Sequence, residues 1–325
     1  MIAVKDLVEI YSDGTKAVDG ISFEVKEGEF FGFLGPNGAG KSTTIKVLTT
    51  LLRKTEGKVS VAGFDVDRSP AEIRKNIGVL SQETSLDVDL TGKENLRLQG
   101  RLQQMRGRGL EERVDELLRL VQLEQVADKP AGRYSGGMRK RLDLASALIH
   151  SPRLLFLDEP TTGLDTQSRA AIWQYLEGLN KKERLTIFLT TQYLEEADQL
   201  CNRLAVIDHG KLVAGGSPAE LKESVGGETI TLLLRDVSLR PKAKEVLKAI
   251  QGVREVVDSV GGVTAYAKNA GQIIAGIVTF LDRNGIQLDF LSISIPTLDD
   301  VFLRETGRRI RSDELSRRET EPFLM

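Results

Sequence analysis

The 325 residues carry 45 basic and 47 acidic side chains, a formal net charge of −2 that excludes a bulk polyanion-binding surface and leaves "GMRKR" (137–141) as a small local basic patch. A single cysteine, Cys201, permits no intrachain disulfide and fits a reducing compartment. No apolar run approaches a membrane span, and the opening "MIAVKDLVEIY" has no secretory core, so the chain is expected to be soluble by itself, another polypeptide supplying any spanning part. The length accommodates two domains and a substantial core.

In "FFGFLGPNGAGKSTTIKVLTTLL" (30–52), Phe30 to Leu34 reads as a strand, followed by a loop of the form G-x-x-x-x-G-K-[ST] and an amphipathic helix from about Lys41. The glycines let the backbone curl so that successive N–H groups face phosphate oxygens, and the helix adds its positive N-terminal end. Gly35, Asn37, Gly38, Gly40, Lys41, Ser42 and Thr43 are therefore the expected nucleotide-binding set. Lys41 is expected to bridge the β- and γ-phosphates and Ser42 to ligate Mg²⁺.

The next strand, in "IGVLSQE" (77–83), ends at a glutamine, Gln82. Residues 91–128 read as a helical insert, with Val114, Leu117, Leu118 and Val121 at the spacing of a core-facing stripe and breaks at Gly107 and Gly109. "YSGGMRKRLDLASALIHSP" (134–152) reads as a helix opened by Ser135, Gly136 and Gly137, with Ser135 as N-cap. The glycine pair leaves backbone N–H groups accessible to an anion. The chain thus holds two phosphate-binding helix starts, which one site in one monomer need not use.

"PRLLFLDEPTTGLD" (152–165) has an apolar run, Leu154 to Leu157, and then Asp158 and Glu159. A strand that apolar is buried on both faces, as in a parallel sheet, and ligands gather at the C-terminal ends of such strands. Asp158 is suited to hold Mg²⁺, directly or through water, and Glu159 to orient or deprotonate a water attacking the γ-phosphate. "LTIFLTTQYLEEADQL" (185–200) is a further apolar strand, which ends at the amide of Gln192.

After "AGGSPAELKESVGGE" (214–228) the pattern changes to βαββαβ, the order of a small ferredoxin-like unit. Ile230, Leu232 and Leu234 alternate as in a strand. Ala243, Val246, Leu247 and Ile250 form a helical face, and a hairpin turns at Gly261-Gly262. Ile274, Ile277, Val278 and Leu281 form a second helical face. In "IQLDFLSISIP" the apolar phase shifts, which a bulge or a strand changing faces would explain. Thr297 and Asp300 are spaced as a capping box. With no catalytic constellation, this part reads as a regulatory, dimer-stabilising or partner-docking module. Residues 308–325 are charged, lack periodicity and are expected to form a mobile tail.

The phosphate loop, the glutamine of 77–83, "YSGGM", "LLFLDEP" and "TTGLD" occur in the order and spacing of the ATP-binding subunits of ABC transporters, which residues 1 to about 225 resemble. Within that family the chain is most similar to the daunorubicin-resistance type of exporter ATPase, on Gln192 in "TTQYLEEADQL" and on "PTLDDVFLRETG" (296–307). The resemblance implies an α/β P-loop ABC-type ATPase domain, 1–225, with a helical subdomain at about 83–150. The α+β accessory domain, 226–307, follows. It also implies a head-to-tail dimer, most simply of identical chains, in which ATP lies between the Lys41 loop of one subunit and Ser135-Gly136-Gly137 of the other. Tyr11 then stacks on adenine, Gln82 senses Mg²⁺ and faces the membrane partner, and Asp165 links the two active sites.

Where the family usually has a histidine at the γ-phosphate, this chain has Gln192, whose amide donates a hydrogen bond but cannot store a proton. Proton handling is left to Glu159 or to the phosphate itself. Tyr134 and Met138 stand where leucine and glutamine are more usual. The implied activity is ATP hydrolysis with Lys41, Glu159 and Gln192 in catalytic roles and Ser42, Gln82 and Asp158 at the Mg²⁺. It powers export of drugs or other amphipathic compounds through separate transmembrane permease subunits, at the cytoplasmic face of the membrane. The alternatives are an importer ATPase or a non-transport ABC ATPase. The chain has neither the long coiled coil of repair types nor the second ATPase domain of translation types, and its charge carries no nucleic-acid footprint. A nucleotide-dependent switch that scarcely hydrolyses is kept open by Gln192 and opposed by Glu159.

Overall fold

Alternating burial along "IAVKDLVEI" and "KAVDGISFEV" makes a hairpin of β1 (Ile2–Ile10) and β2 (Lys16–Val25). The computed structural model describes residues 1–306 apart from 83, 226, 260 and 269 and the side chain of 303; the expected tail, 308–325, lies outside the described residues. Strand β3 (Phe30–Leu34), buried at every position, runs through the glycine loop into α1 (Lys41–Leu48). Strands β4 (Glu56–Val61) and β5 (Phe64–Asp65) join the hairpin in an antiparallel sheet of order β2-β1-β4-β5. Helix α2 (Pro70–Asn76), with proline in its first turn, leads into β6 (Ile77–Leu80).

Three helices follow: α3 (Gly92–Leu102), α4 (Gly107–Leu120) and α5 (Gly136–Ala147). A capping box between Thr91 and Glu94 starts α3. The expected stripe Val114, Leu117, Leu118 and Val121 is buried. The rest of the unit is β7 (Leu154–Asp158), α6 (Thr166–Glu183), β8 (Thr186–Thr191), α7 (Leu194–Leu200), β9 (Arg203–Asp208) and β10 (Lys211–Gly216).

The central sheet has the order β10-β9-β3-β8-β7-β6, parallel from β9 to β6 with β10 added antiparallel. Leu34 pairs with Thr191, Asp158 with Thr190 and Leu80 with Leu157. This register brings the residues that follow β3, β6, β7 and β8 out along one edge of the sheet, where ligands of parallel sheets bind. Between the two sheets the ring of Phe188 lies 5.5 to 6.0 Å from those of Phe23, Phe31, Phe33 and Phe156.

The chain divides into two compact units after Ser217, ahead of the 225/226 boundary that the resemblance implied. Helix α8 (Pro218–Ser224) belongs to the second unit, where it packs with the last helix. Strand β11 (Glu228–Leu234), α9 (Arg240–Lys248), β12 (Val253–Ser259), β13 (Gly262–Ala267), α10 (Ala270–Arg283) and β14 (Leu288–Ser294) follow, and then α11 (Leu298–Thr306). The sheet is antiparallel, of order β12-β13-β11-β14, so the βαββαβ chain closes as the ferredoxin-like arrangement.

Two expectations are refined. Val278 is 43% exposed while Ile277 and Leu281 are fully buried, so the α10 stripe is narrower than the spacing suggested. The phase shift is a β-bulge: Leu233 pairs with Phe290 but Leu234 with Leu288, leaving Asp289 unmatched. Thr297 and Asp300 cap α11 as expected, with each backbone N–H donating to the other's side chain.

Candidate nucleotide site

The loop after β3 closes tightly because it lacks side chains at two contacts. A Cβ on Gly35 would lie 2.3 Å from the Ile207 carbonyl oxygen, and one on Gly40 2.5 Å from that of Ala17. Gly40 also has φ +107, a conformation that strains any L side chain, at the N-cap of α1. Lys41 follows directly and is buried. Its Nζ donates to the carbonyls of Gly35 (2.8 Å) and Pro36 (3.1 Å) and pairs with Glu159 Oε1 at 3.2 Å. Burial pulls its pKa below the ordinary amine value, while Glu159 and then Asp158 act in the other direction.

The two carboxylates at the end of β7 face different partners. Asp158 Oδ1 accepts from Thr190 Oγ1 at 2.5 Å and from Ser42 Oγ at 3.3 Å. Glu159 has φ +48, uncommon for a residue with a side chain; its N–H donates to Thr190 O, and its Oε2 accepts from Thr162 Oγ1 at 3.2 Å. The turn aims Glu159 at Lys41 and leaves Asp158 against Ser42. A hydroxyl beside a carboxylate is a hard-oxygen donor set, which fits Mg²⁺ shared with phosphate. Among the described residues no three His, Cys, Asp or Glu side chains gather to hold a metal by themselves.

A cleft of about 490 Å³ collects Tyr11, Asn37, Gly38, Gly40, Lys41, Ser42, Thr43, Gln82 and Glu159. Tyr11 is partly exposed, and its hydroxyl lies 3.0 Å from Thr43 Oγ1. Thr15, Lys16, His209 and Gly210 also line the cleft and were missed from the sequence. His209, with φ +45, turns the chain between β9 and β10. Nothing in the local sequence places that turn beside the β1–β2 hairpin; the bond from Asp19 N–H to Gly210 O does so. A larger cavity, about 860 Å³, lies at the opposite ends of the strands near Gly28, Pro152 and Leu185 and contains none of the expected residues.

Other expected residues stand apart from this cleft. Ser135 caps α5 by accepting from Met138 N–H, and Ser135 and Gly136 are exposed. Gly137 abuts α6, where a Cβ would lie 2.6 Å from Ser168 Oγ. Asp165 is exposed and caps α6 through the N–H and hydroxyl of Ser168, both at 2.9 Å. The Ser168 backbone bond, then the hydroxyl bond, holds its carboxyl below the usual range. Gln192 is half-buried past the end of β8 and does not line the cleft. Tyr134 is buried and donates to Val126 O at 2.6 Å, a role for the ring in the helical insert rather than at the phosphates.

A parallel sheet, a glycine loop with its lysine, an acidic strand end and a separately presented Ser-Gly-Gly helix start define an ATP-binding cassette. The ABC transporter family model matches residues 18–162, and that of the ATP-binding protein DrrA1-3-like C-terminal domain matches residues 216–306. The daunorubicin resistance ATP-binding protein DrrA2 of Streptomyces coeruleorubidus is 42% identical over 300 residues, covering 92% of this chain and 93% of that one. The Nod factor export ATP-binding protein I of Neorhizobium galegae is 39% identical over 313 residues, covering 95% and 86%. A solved dimeric ATP-binding cassette in a post-hydrolysis state, bound to ADP and Pi, superposes with a TM-score of 0.62. It is 28% identical and covers 67% of this chain and 98% of that one. The chain belongs to the ATP-binding proteins of ABC transporters and is an ATPase subunit of an exporter with a DrrA-like C-terminal domain. Among the described residues no helix is long and apolar enough to cross a membrane.

Proposed function

We propose that two copies of this chain assemble head to tail, each ATP being held by the Lys41 loop of one copy and the Ser135-Gly136-Gly137 helix start of the other. One observation carries the reading: a single cleft gathers the phosphate loop with Lys41, Ser42 and Glu159 and with Gln82, while the Ser135 helix start lies outside it in the same chain. Gly35, Asn37, Gly38, Gly40 and Thr43 bind the phosphates and Tyr11 packs on the adenine. Lys41 exchanges its loop carbonyls and Glu159 for the β- and γ-phosphates. That exchange releases the Glu159 carboxylate to orient and deprotonate the attacking water. Gln192 donates to the γ-phosphate without taking a proton.

Ser42, Asp158 and Gln82 would hold Mg²⁺, which would supply charge neutralisation at the phosphate oxygens. Asp165, at the head of α6, connects the two sites of the dimer. Positioning and electrostatics supply most of the catalysis, since phosphoryl transfer to water needs little covalent help from the protein. Closure of the dimer drives separate permease chains at the cytoplasmic face, and the substrates are drugs or other amphipathic compounds. The names of the daunorubicin-resistance and Nod factor export relatives support that class.

Mixing two disabled chains tests the shared site. Lys41→Ala and Ser135→Arg are each expected to hydrolyse no ATP alone, and their mixture to recover hydrolysis, because the mixed dimer contains one undamaged site. A mixture as inactive as its parts would overturn the head-to-tail arrangement.

A further inference from the structure

Behind the cleft, Glu196 is buried on α7 with 0% exposure, although it is a charged residue in a helix of the acidic sequence "LEEADQL". Its Oε1 accepts from Thr161 Oγ1 at 3.0 Å and from Trp173 Nε1 at 2.9 Å. Thr161, itself fully buried, follows Glu159 by one intervening proline, and Trp173 lies on α6, the helix capped by Asp165. Helix α7 begins two residues after Gln192. A second contact runs the same way: the guanidinium of Arg169, also on α6, stacks 4.5 Å from the ring centroid of Tyr193, the neighbour of Gln192.

We propose that Glu196 is a positioning residue whose one oxygen, shared by Thr161 and Trp173, clamps the Glu159 loop and the Asp165 helix to the strand end that carries Gln192. The clamp holds the two groups that face the γ-phosphate at a fixed spacing, so they move as one body when the cleft closes. The inference rests on the catalytic roles proposed above for Glu159 and Gln192. An oxygen with two lone pairs is required, which a glutamine supplies as well as a glutamate. An apolar residue leaves the buried Thr161 hydroxyl and the half-buried Trp173 N–H without this acceptor, and they relax toward other partners. A displacement of about 1 Å in a catalytic group is enough to cost about a hundredfold in rate.

The test compares Glu196→Gln, Glu196→Leu and Thr161→Val in the full chain, with MgATP hydrolysis, ATP binding and tryptophan emission as readouts. Trp173 is the chain's one tryptophan, so its emission reports the clamp directly. Glu196→Leu is expected to lower kcat about tenfold or more while KM and ATP affinity stay within about twofold. Its emission should no longer respond to MgATP. Glu196→Gln should restore both kcat and the emission response. Thr161→Val should lower kcat less, and add little to Glu196→Leu. Wild-type kcat in Glu196→Leu, equal loss in Glu196→Gln, or a raised KM with kcat intact would each overturn the clamp. If Glu196→Leu does not fold, an unchanged kcat in Thr161→Val overturns it alone. Glu159→Gln is assayed alongside: undiminished hydrolysis there sinks the role given to Glu159 and leaves the clamp to be judged on the other variants.

Discussion

Lys41 and Glu159 satisfy one another at 3.2 Å in a site where both are buried, so each partner is held ready and neither is left as an uncompensated charge. Among the described residues no cation stands within ion-pair distance of Glu196, and Arg169 acts on it only at longer range. Burial raises its carboxyl above the ordinary value, opposed by hydrogen bonds from Thr191, Trp173 and Thr161 and by the charge of Arg169. The sign follows from linkage. A carboxyl raised in the folded state stabilises the fold below its unfolded value, and that contribution is lost as pH rises through the higher folded value. Glu196→Gln cannot ionise, so its melting temperature is expected to gain on the wild type as pH rises from the ordinary glutamate value through the higher folded one. A difference constant across that range, measured by calorimetry, would contradict the assignment.

At the scale of elements, the parallel strands β3, β6, β7 and β8 were legible because each carries an apolar run, whereas β9 was not read from the sequence, and the starts of α1 and α5 were legible because their loops are contiguous in the chain. Helix α10 was only partly legible. Four apolar residues at helical spacing mark a stripe wider than the one the sheet covers: Ile277 and Leu281 are buried against β11 and its neighbours, and Val278 faces outward. Ile277→Ala is therefore expected to cost about 2–5 kcal/mol of stability in the C-terminal unit, through lost burial and a cavity. Val278→Ala should change it by no more than about 0.5 kcal/mol. Denaturant unfolding of the two variants measures the contrast, and equal losses would mean that the α10 stripe is placed wrongly. Strand β14 makes the same point about register, since either a bulge or a change of face fitted its phase, and pairing with β11 selects the bulge at Asp289.

For the whole molecule, the family assignment makes the chain a transporter ATPase subunit, and no helix among the described residues is long and apolar enough to cross a membrane. Affinity purification from detergent-solubilised membranes of its own cells is expected to bring down a stoichiometric multi-span protein, identified by mass spectrometry. Recovery from the soluble fraction alone, or with nucleic acid, would overturn the transport reading. Every residue that lines the nucleotide cleft belongs to the first unit.

By itself the sequence determined the class of chemistry. The phosphate loop, the Asp158-Glu159 strand end and the Ser135 helix start are each short contiguous stretches whose meaning depends on spacing along the chain, so no folding was needed to read them. Only tertiary structure decided which residues meet. Ser42 reaches Asp158 across 116 positions and Thr161 reaches Glu196 across 35, through strand order and packing that no local pattern encodes. His209 entered the cleft and Gln192 stayed off its wall for the same reason. Burial is a property of what lies opposite a residue, and in a sheet of order β10-β9-β3-β8-β7-β6 what lies opposite is set by chain crossovers.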